Sequence, residues 1–170
     1  MYALALKKSD QTPEVIAKLS EILDYILYRC NENFVYLANE VTLLKNYIDL
    51  EKVRYGKRVI VEFDHEIQGD VKIAPLLLLT FLENAFKHGV SQEINVAKIK
   101  IELSEDDNGI LFQIENTTSL HKANSHHKDR AAIGLQNINK QLDLLYPNNH
   151  TLAIDEQKEK YKVTLKLNAK

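Results

Sequence analysis

One stretch, Ala74 to His88 (APLLLLTFLENAFKH), most constrains what this chain can fold into. Its first half is almost entirely apolar, whereas its second half carries the polar side chains Glu83, Asn84, Lys87 and His88. In a helix of about 3.6 residues per turn, Asn84, Lys87 and His88 share a face and Glu83 lies beside it. The stretch therefore predicts a functional site mounted on a core helix.

Composition excludes several classes of protein. With 170 residues, 45% of them hydrophobic and 27% charged, the chain suits one domain, or one domain plus a helical attachment, with a sizeable core. A formal net charge of -2 gives no strong argument for nucleic acid or an anionic membrane as the main partner. Since Cys30 is the single cysteine, an internal disulfide framework and a Cys-rich zinc site are excluded, and a reducing cytoplasmic setting is favoured.

Hydrophobic periodicity divides the chain into helices and strands. Helices are predicted from Thr12 onward, over Ala38 to Tyr55, over the opening stretch and over Gly134 to Tyr146. Strands are predicted over the runs Arg58 to Glu66, Ala97 to Ser104, Ile110 to Glu115, Thr151 to Asp155 and Tyr161 to Leu167. This order predicts an α+β fold, a two-layer sandwich with helices on one face of a sheet.

The first helix carries an unusually wide apolar stripe, which includes Ile16, Leu23 and Leu27 beside Val15 and Ile22. A stripe of this width can serve one partner within the domain and another in a neighbouring subunit. Packing entirely within its own core fits the periodicity equally well.

The segment from Thr117 to Ala131 is polar and aperiodic, which is typical of a long functional loop. We interpret it as a solvated lid over a ligand. The alternative is a transition-metal site formed by His121, His126, His127 and Asp129.

Three blocks of sequence, in order, resemble the LytS-like sensor histidine kinases. LLLLTFLENAFKHG resembles their N box, usually an apolar run followed by E-N-A-x-K-H-G, and NEVTLLKNYIDLEKVRYGKRV is similar to the helix before it. AIGLQNINKQLDLLYP resembles their second glycine box and the helix that follows. The resemblance covers nearly the whole chain, which lacks the P-loop and G-x-G-x-x-G fingerprints. It implies the GHKL ATPase fold, with a mixed sheet: residues 1–55 form a helical extension from the dimerisation and phosphotransfer part, and 56–170 the ATP-binding catalytic domain.

The same resemblance implies ATP and Mg²⁺ as ligands and assigns roles to the polar half of the N box. Asn84 would ligate the magnesium ion, and Mg²⁺ prefers such oxygen ligands together with phosphates and water. Glu83 would act as a general base or hydrogen-bonding partner of the incoming histidine. Lys87 and His88 would donate to phosphate oxygens. The structural alternative is that Glu83 and Lys87 are solvated charges and His88 ends the helix.

The glycine boxes depart from the family pattern. Asn116 aligns with the Asp that accepts a hydrogen bond from the adenine amino group, and an amide oxygen can still accept, with Glu115 adjacent. In the second box Gly134, Leu135 and Asn137 complete the predicted nucleotide-binding set, although the first glycine of that box is missing. A productive pocket and a degenerate one are both compatible with these changes.

The function implied is the catalytic region of a two-component sensor histidine kinase, which transfers the γ-phosphoryl group of ATP to a histidine for relay to a response-regulator aspartate. That histidine would lie in a P-H-F-L-F-N segment of the same or a paired subunit. This sequence lacks the segment, so we expect part of a larger sensor that does not autophosphorylate alone. We expect the full-length protein to be a homodimer anchored in the inner membrane, with this region cytoplasmic. The alternative function is a non-catalytic dimerisation and signalling module with a degenerate nucleotide pocket.

Overall fold

The computed structural model describes residues 12–30, 32–90, 96–118 and 136–168. Its helices are α1 (Thr12–Asp24, continued by a π-helical turn, Tyr25–Arg29), α2 (Leu37–Tyr55), α3 (Leu77–Ala85, continued by a π-helical turn, Phe86–Val90) and α4 (136–145). Its strands are β1 (Val35–Tyr36), β2 (Val59–Glu66), β3 (Lys72–Ile73), β4 (Ala97–Asp106), β5 (Gly109–Thr117), β6 (His150–Glu156) and β7 (Lys160–Asn168). Apart from the two-residue strands β1 and β3, helices and strands follow the order that the periodicity predicts.

The main sheet is mixed. It has five strands in the order β2-β4-β5-β7-β6, in which β2 and β4 are parallel and the other neighbours are antiparallel. The predicted α+β class, with a mixed sheet and helices, is confirmed. A separate two-stranded pair, β1 with β3, was not predicted, because strands of two residues carry no detectable alternation.

The core lies between this sheet and α3. Along β4 and β5 every second side chain is buried, as the two-residue period of a strand requires when one face is covered. Leu77, Leu78 and Leu82 of α3 are fully buried, and the Phe81 ring lies 5.9 Å from that of Phe112 on β5. The apolar half of the opening stretch therefore forms the helical side of the core.

The other face of the sheet carries a row of alternating charges. Glu62, Lys100, Glu115, Lys162 and Asp155 are successive cross-strand neighbours on β2, β4, β5, β7 and β6. Opposite charges in such positions attract one another across neighbouring strands. The row explains why this face remains in solvent while the helices cover the opposite one.

Two predicted boundaries are wrong. Helix α3 begins at Leu77, not Ala74, because Pro75 and Leu76 form a turn in which Leu76 has the left-handed φ of 62°. The turn between β4 and β5 is shorter than predicted: β4 continues to Asp106, not Ser104, and β5 begins at Gly109, not Ile110, so Asp107 and Asn108 form the turn.

The wide stripe of α1 divides into two parts. Val15, Ile22 and Tyr25 are buried, whereas Leu23 and Leu27 are 47% and 60% exposed. One half of the stripe thus joins the core, and a partner for the other half stays a prediction. Within the described ranges, no helix is long and apolar enough to cross a bilayer.

Candidate functional site

The polar half of the opening stretch lies where α3 changes into a π-helical turn. Glu83, which is exposed, and Asn84, which is half-buried, belong to the last α-helical turn. Lys87 and His88 belong to the π-helical turn, with Lys87 exposed and His88 half-buried. Because a π-helix bonds i to i+5, the spacing of Asn84, Lys87 and His88 differs from the regular helical face that the sequence predicts.

Aromatic side chains of α2 hold this turn in place. Phe86 is 2% exposed. Its ring meets that of Tyr47 edge-on at 5.9 Å and lies nearly parallel to that of Tyr55 at 6.2 Å. Tyr47 and Tyr55 are eight residues apart and share one face of α2. Ring pairs of this kind stabilise a contact beyond the area they bury, so α2 fixes the end of the N-box helix.

The acidic residue Glu51 lies on the same face of α2, close to Glu83. Although Glu83 is exposed overall, partial desolvation of its carboxyl group, together with the nearby Glu51 carboxylate, raises its pKa, while Lys87 acts in the opposite direction. The pKa of Tyr47 is also raised, first by burial and then by the negative charges of Glu51 and Glu83. Glu51 Oε2 is buried and makes no hydrogen bond with the described part of the chain. Glu51 was not predicted as a site residue from the sequence, although its position four residues after Tyr47 places both on one helical face.

Asn116 lies on the helix-facing side of β5 and is 3% exposed. Its Nδ2 donates to the backbone oxygen of Thr117 at 3.0 Å, which leaves Oδ1 as an acceptor. Tyr161 of β7 is its cross-strand partner. Glu115 points to the opposite face, where its Oε1 accepts from Lys160 at 2.7 Å, because successive strand residues alternate. Glu115 therefore does not share a face with Asn116.

Gly89 brings the N-box helix directly against Asn116. A Cβ at Gly89 would lie 2.6 Å from Asn116 Nδ2 and 3.1 Å from Asn116 Cβ. Distances this short are not tolerated, so the missing side chain allows the π-helical turn to approach β5 closely. The N box and the first glycine box therefore meet at one point of the fold.

The chain is similar in sequence to sensor histidine kinases over nearly its whole length. The histidine kinase family model matches residues 1–59. Sensor histidine kinase BtsS of Escherichia coli K12 is 24% identical over 168 residues, which are 97% of this chain and 29% of that protein. Sensor protein LytS of Staphylococcus saprophyticus is 28% identical over 163 residues, which are 89% of this chain and 27% of that protein. These similarities support the resemblance of this chain to the LytS-like sensor histidine kinases.

The fold agrees with this family. The catalytic domain of histidine kinase ThkA superposes with a TM-score of 0.55 at 11% sequence identity, covering 79% of this chain and 93% of that domain. At this identity the match shows the fold alone. The chain spans less than a third of the length of BtsS and LytS, at 29% and 27%.

The remaining predicted site residues of this LytS-like chain lie at or beyond the limits of the described residues. Asn137 is exposed near the start of α4. Gly134 and Leu135 lie outside the described residues, as do His121, His126, His127 and Asp129. Over the ranges 12–30, 32–90, 96–118 and 136–168, no group of three or more His, Cys, Asp or Glu side chains is arranged to hold a metal. A magnesium ion held by one amide oxygen and by phosphates needs no such cluster, so Asn84 fits this chemistry.

The contact between Gly89 and Asn116 leads to the first testable prediction. Gly89→Ala is expected to lower the free energy of unfolding by about 1–3 kcal/mol, because the added methyl group overpacks against a buried side chain. Chemical denaturation measures the change. Gly69→Ala is the matched control: its Cβ would lie 2.8 Å from Glu105 Oε1, the end of a flexible side chain that can move away. Equal stability losses in the two variants would contradict the close packing at Gly89.

Proposed function

We propose that this chain is the ATP-binding catalytic region of a two-component sensor histidine kinase, and that it binds Mg-ATP between α3 and the end of β5. The observation that carries the proposal is the close approach of Gly89 to Asn116. It supports the proposal because Gly89 follows the last turn of α3, which carries Asn84, and Asn116 lies on β5. Sequence similarity to sensor histidine kinases supports the same assignment.

Each candidate residue has a role that suits its position. Asn84 would offer its amide oxygen to Mg²⁺, which neutralises phosphate charge when bound. The Oδ1 of Asn116 would accept from the adenine amino group, while its Nδ2 donates to the backbone oxygen of Thr117. Gly134, Leu135 and Asn137 would complete the binding of the nucleotide.

Phosphoryl transfer requires mainly that the reacting groups are positioned and that the phosphate charge is neutralised. The bond between the γ-phosphorus and the bridging oxygen breaks, ADP leaves, and a bond forms between phosphorus and a histidine nitrogen. Glu83 would accept the proton that the imidazole ring loses from its other nitrogen, or hold the imidazole by a hydrogen bond to that N–H. Lys87 and His88 would donate to the phosphate oxygens.

The wider assignments follow from the same proposal. The accepting histidine would belong to a segment of the same or a paired subunit, and a response-regulator aspartate would receive the phosphoryl group next. The exposed half of the α1 stripe, with Leu23 and Leu27, supports a homodimer of the full-length protein. We propose that this region is cytoplasmic and that the full-length protein is anchored in the inner membrane.

Nucleotide titration of this chain tests the proposal. We expect saturable binding of ATP and ADP that weakens strongly when Mg²⁺ is replaced by EDTA, measured by calorimetry. Absence of binding at millimolar nucleotide would reject the proposal and favour the alternative, a signalling module that has kept the fold without a productive pocket.

A further inference from the structure

The carboxyl group of Glu40 is fully buried at a junction of three elements. Glu40 lies in the first turn of α2 and is 0% exposed. Its Oε1 accepts from the Tyr25 hydroxyl at 2.7 Å and from the Leu76 backbone N–H at 3.0 Å. Tyr25 continues α1, and Leu76 is the residue before α3. An acidic side chain is rarely buried without such partners, so the arrangement has a specific structural purpose.

The N-terminus of α3 lacks a cap of its own. The residue at its N-cap position is Leu76, whose side chain makes no capping hydrogen bond and whose backbone is left-handed at φ 62° and ψ 4°. A left-handed conformation is unfavourable for a residue with a Cβ, and the first N–H groups of any helix need external acceptors. Glu40 provides an acceptor from another helix, at the end of α3 where negative charge is favourable.

The charge state of Glu40 reflects the same geometry. Burial raises the pKa of Glu40, whereas the donors Leu76, Tyr25 and Leu78 act against that rise. The backbone N–H groups of Leu76 and Leu78 belong to the start of α3.

The side chain of Tyr146 fixes Ala74, which lies two positions before Leu76. The Tyr146 hydroxyl accepts from the backbone N–H of Ala74 at 2.7 Å, and Ala74 is fully buried. The entry into α3 is thus held from two sides, by α2 through Glu40 and by the chain just after α4 through Tyr146. Of these two, only the Glu40 contact continues to α1.

We propose that Glu40 is a positioning residue that fixes the first turn of α3 and, through the Tyr25 hydroxyl, links that turn to α1. Asn84 lies two helical turns further along α3, so a displacement of α1 changes the setting of the proposed magnesium ligand. The part of this inference that concerns nucleotide binding rests on the proposed function.

Hydrogen exchange at α3 tests the positioning role without any nucleotide. Glu40→Leu removes the acceptor and is expected to accelerate exchange of the Leu76 amide about tenfold, as loss of its hydrogen bond to the carboxyl group predicts. Glu40→Gln retains an acceptor oxygen and is expected to stay within about threefold of the original protein. Leu167→Ala, which truncates a buried residue of β7, is the control for general loss of stability. Equal acceleration in Glu40→Leu and Leu167→Ala, at equal melting temperature, would overturn the proposal.

The link to α1 has its own variant. Tyr25→Phe keeps the aromatic ring and leaves the Glu40 carboxyl group in place, but it removes the hydroxyl donor. It also replaces Glu40→Leu as the test variant if Glu40→Leu does not fold. We expect faster exchange at Leu76 in Tyr25→Phe than in the original protein, measured by NMR. Unchanged exchange at Leu76 would overturn the link between α1 and α3.

Nucleotide affinity provides the second readout. If the proposed function is right, Glu40→Leu is expected to bind Mg-ATP about tenfold more weakly and Glu40→Gln about as well as the original protein. A loss of affinity in Leu167→Ala that matches Glu40→Leu would argue against positioning. If the original protein binds no nucleotide, the proposed function fails, and hydrogen exchange alone decides the role of Glu40.

Discussion

Asn84→Ala is expected to abolish the magnesium dependence of nucleotide binding. Mutation of a residue that only supports a metal ligand typically lowers metal affinity about 10–100-fold. Removal of a direct ligand is therefore expected to lower the affinity for Mg²⁺ at least about 100-fold. Alanine is the best helix former and Asn84 is half-buried, so the fold is expected to persist. Calorimetric titration with ATP, with and without Mg²⁺, measures the change.

The control for this prediction is Asn108→Ala. It removes the same amide group at the turn between β4 and β5, whereas Asn116 lies near the other end of β5. We expect Asn108→Ala to retain the affinity of the original protein in both buffers. An unchanged response to Mg²⁺ in Asn84→Ala would remove Asn84 from the proposed magnesium site.

Phe112→Ala is expected to destabilise the fold by about 3–5 kcal/mol, the usual cost of truncating a buried aromatic residue. Phe112 is fully buried on β5 and its ring contacts that of Phe81, so the cavity would open between the sheet and α3. Thermal and urea unfolding measure the loss. Phe112→Leu is expected to cost less, because it restores part of the volume.

Ile60→Ala serves as the comparison for the core. Ile60 is 45% exposed on the solvent face of β2, so its truncation leaves no closed cavity. We expect a loss of stability below about 1 kcal/mol. Similar losses in Ile60→Ala and Phe112→Ala would contradict a core confined to the helix-facing side of the sheet.

The elements with strong periodicity could be predicted from the sequence. Strands β4 and β5 alternate cleanly because one face is buried, and the apolar half of α3 marks a helix in contact with the core. The pair of β1 and β3 could not be predicted, since two residues provide no pattern. The sequence also could not predict that Ile22 of the α1 stripe is buried and Leu23 exposed, because both residues are apolar and only the packing distinguishes them.

The candidate site was predicted only in part. The resemblance to histidine kinases marks Glu83, Asn84 and Asn116 residue by residue, and their roles stay predictions. Neighbours along the chain were a poor guide to neighbours in space: Glu115 faces away from Asn116, whereas Gly89 contacts it. Glu51 also lies close to Glu83 only because α2 packs against α3.

The sequence by itself determined which segments are helices or strands, and which face of each is apolar, because periodicity is a property of neighbouring residues. The tertiary structure alone decided how α3 begins. In the sequence Glu40 is one more acidic residue in the first turn of a helix, yet it accepts a hydrogen bond from Leu76, 36 positions away. No local pattern can specify that contact, since it exists only when α2 and α3 pack together and bury the carboxyl group between them.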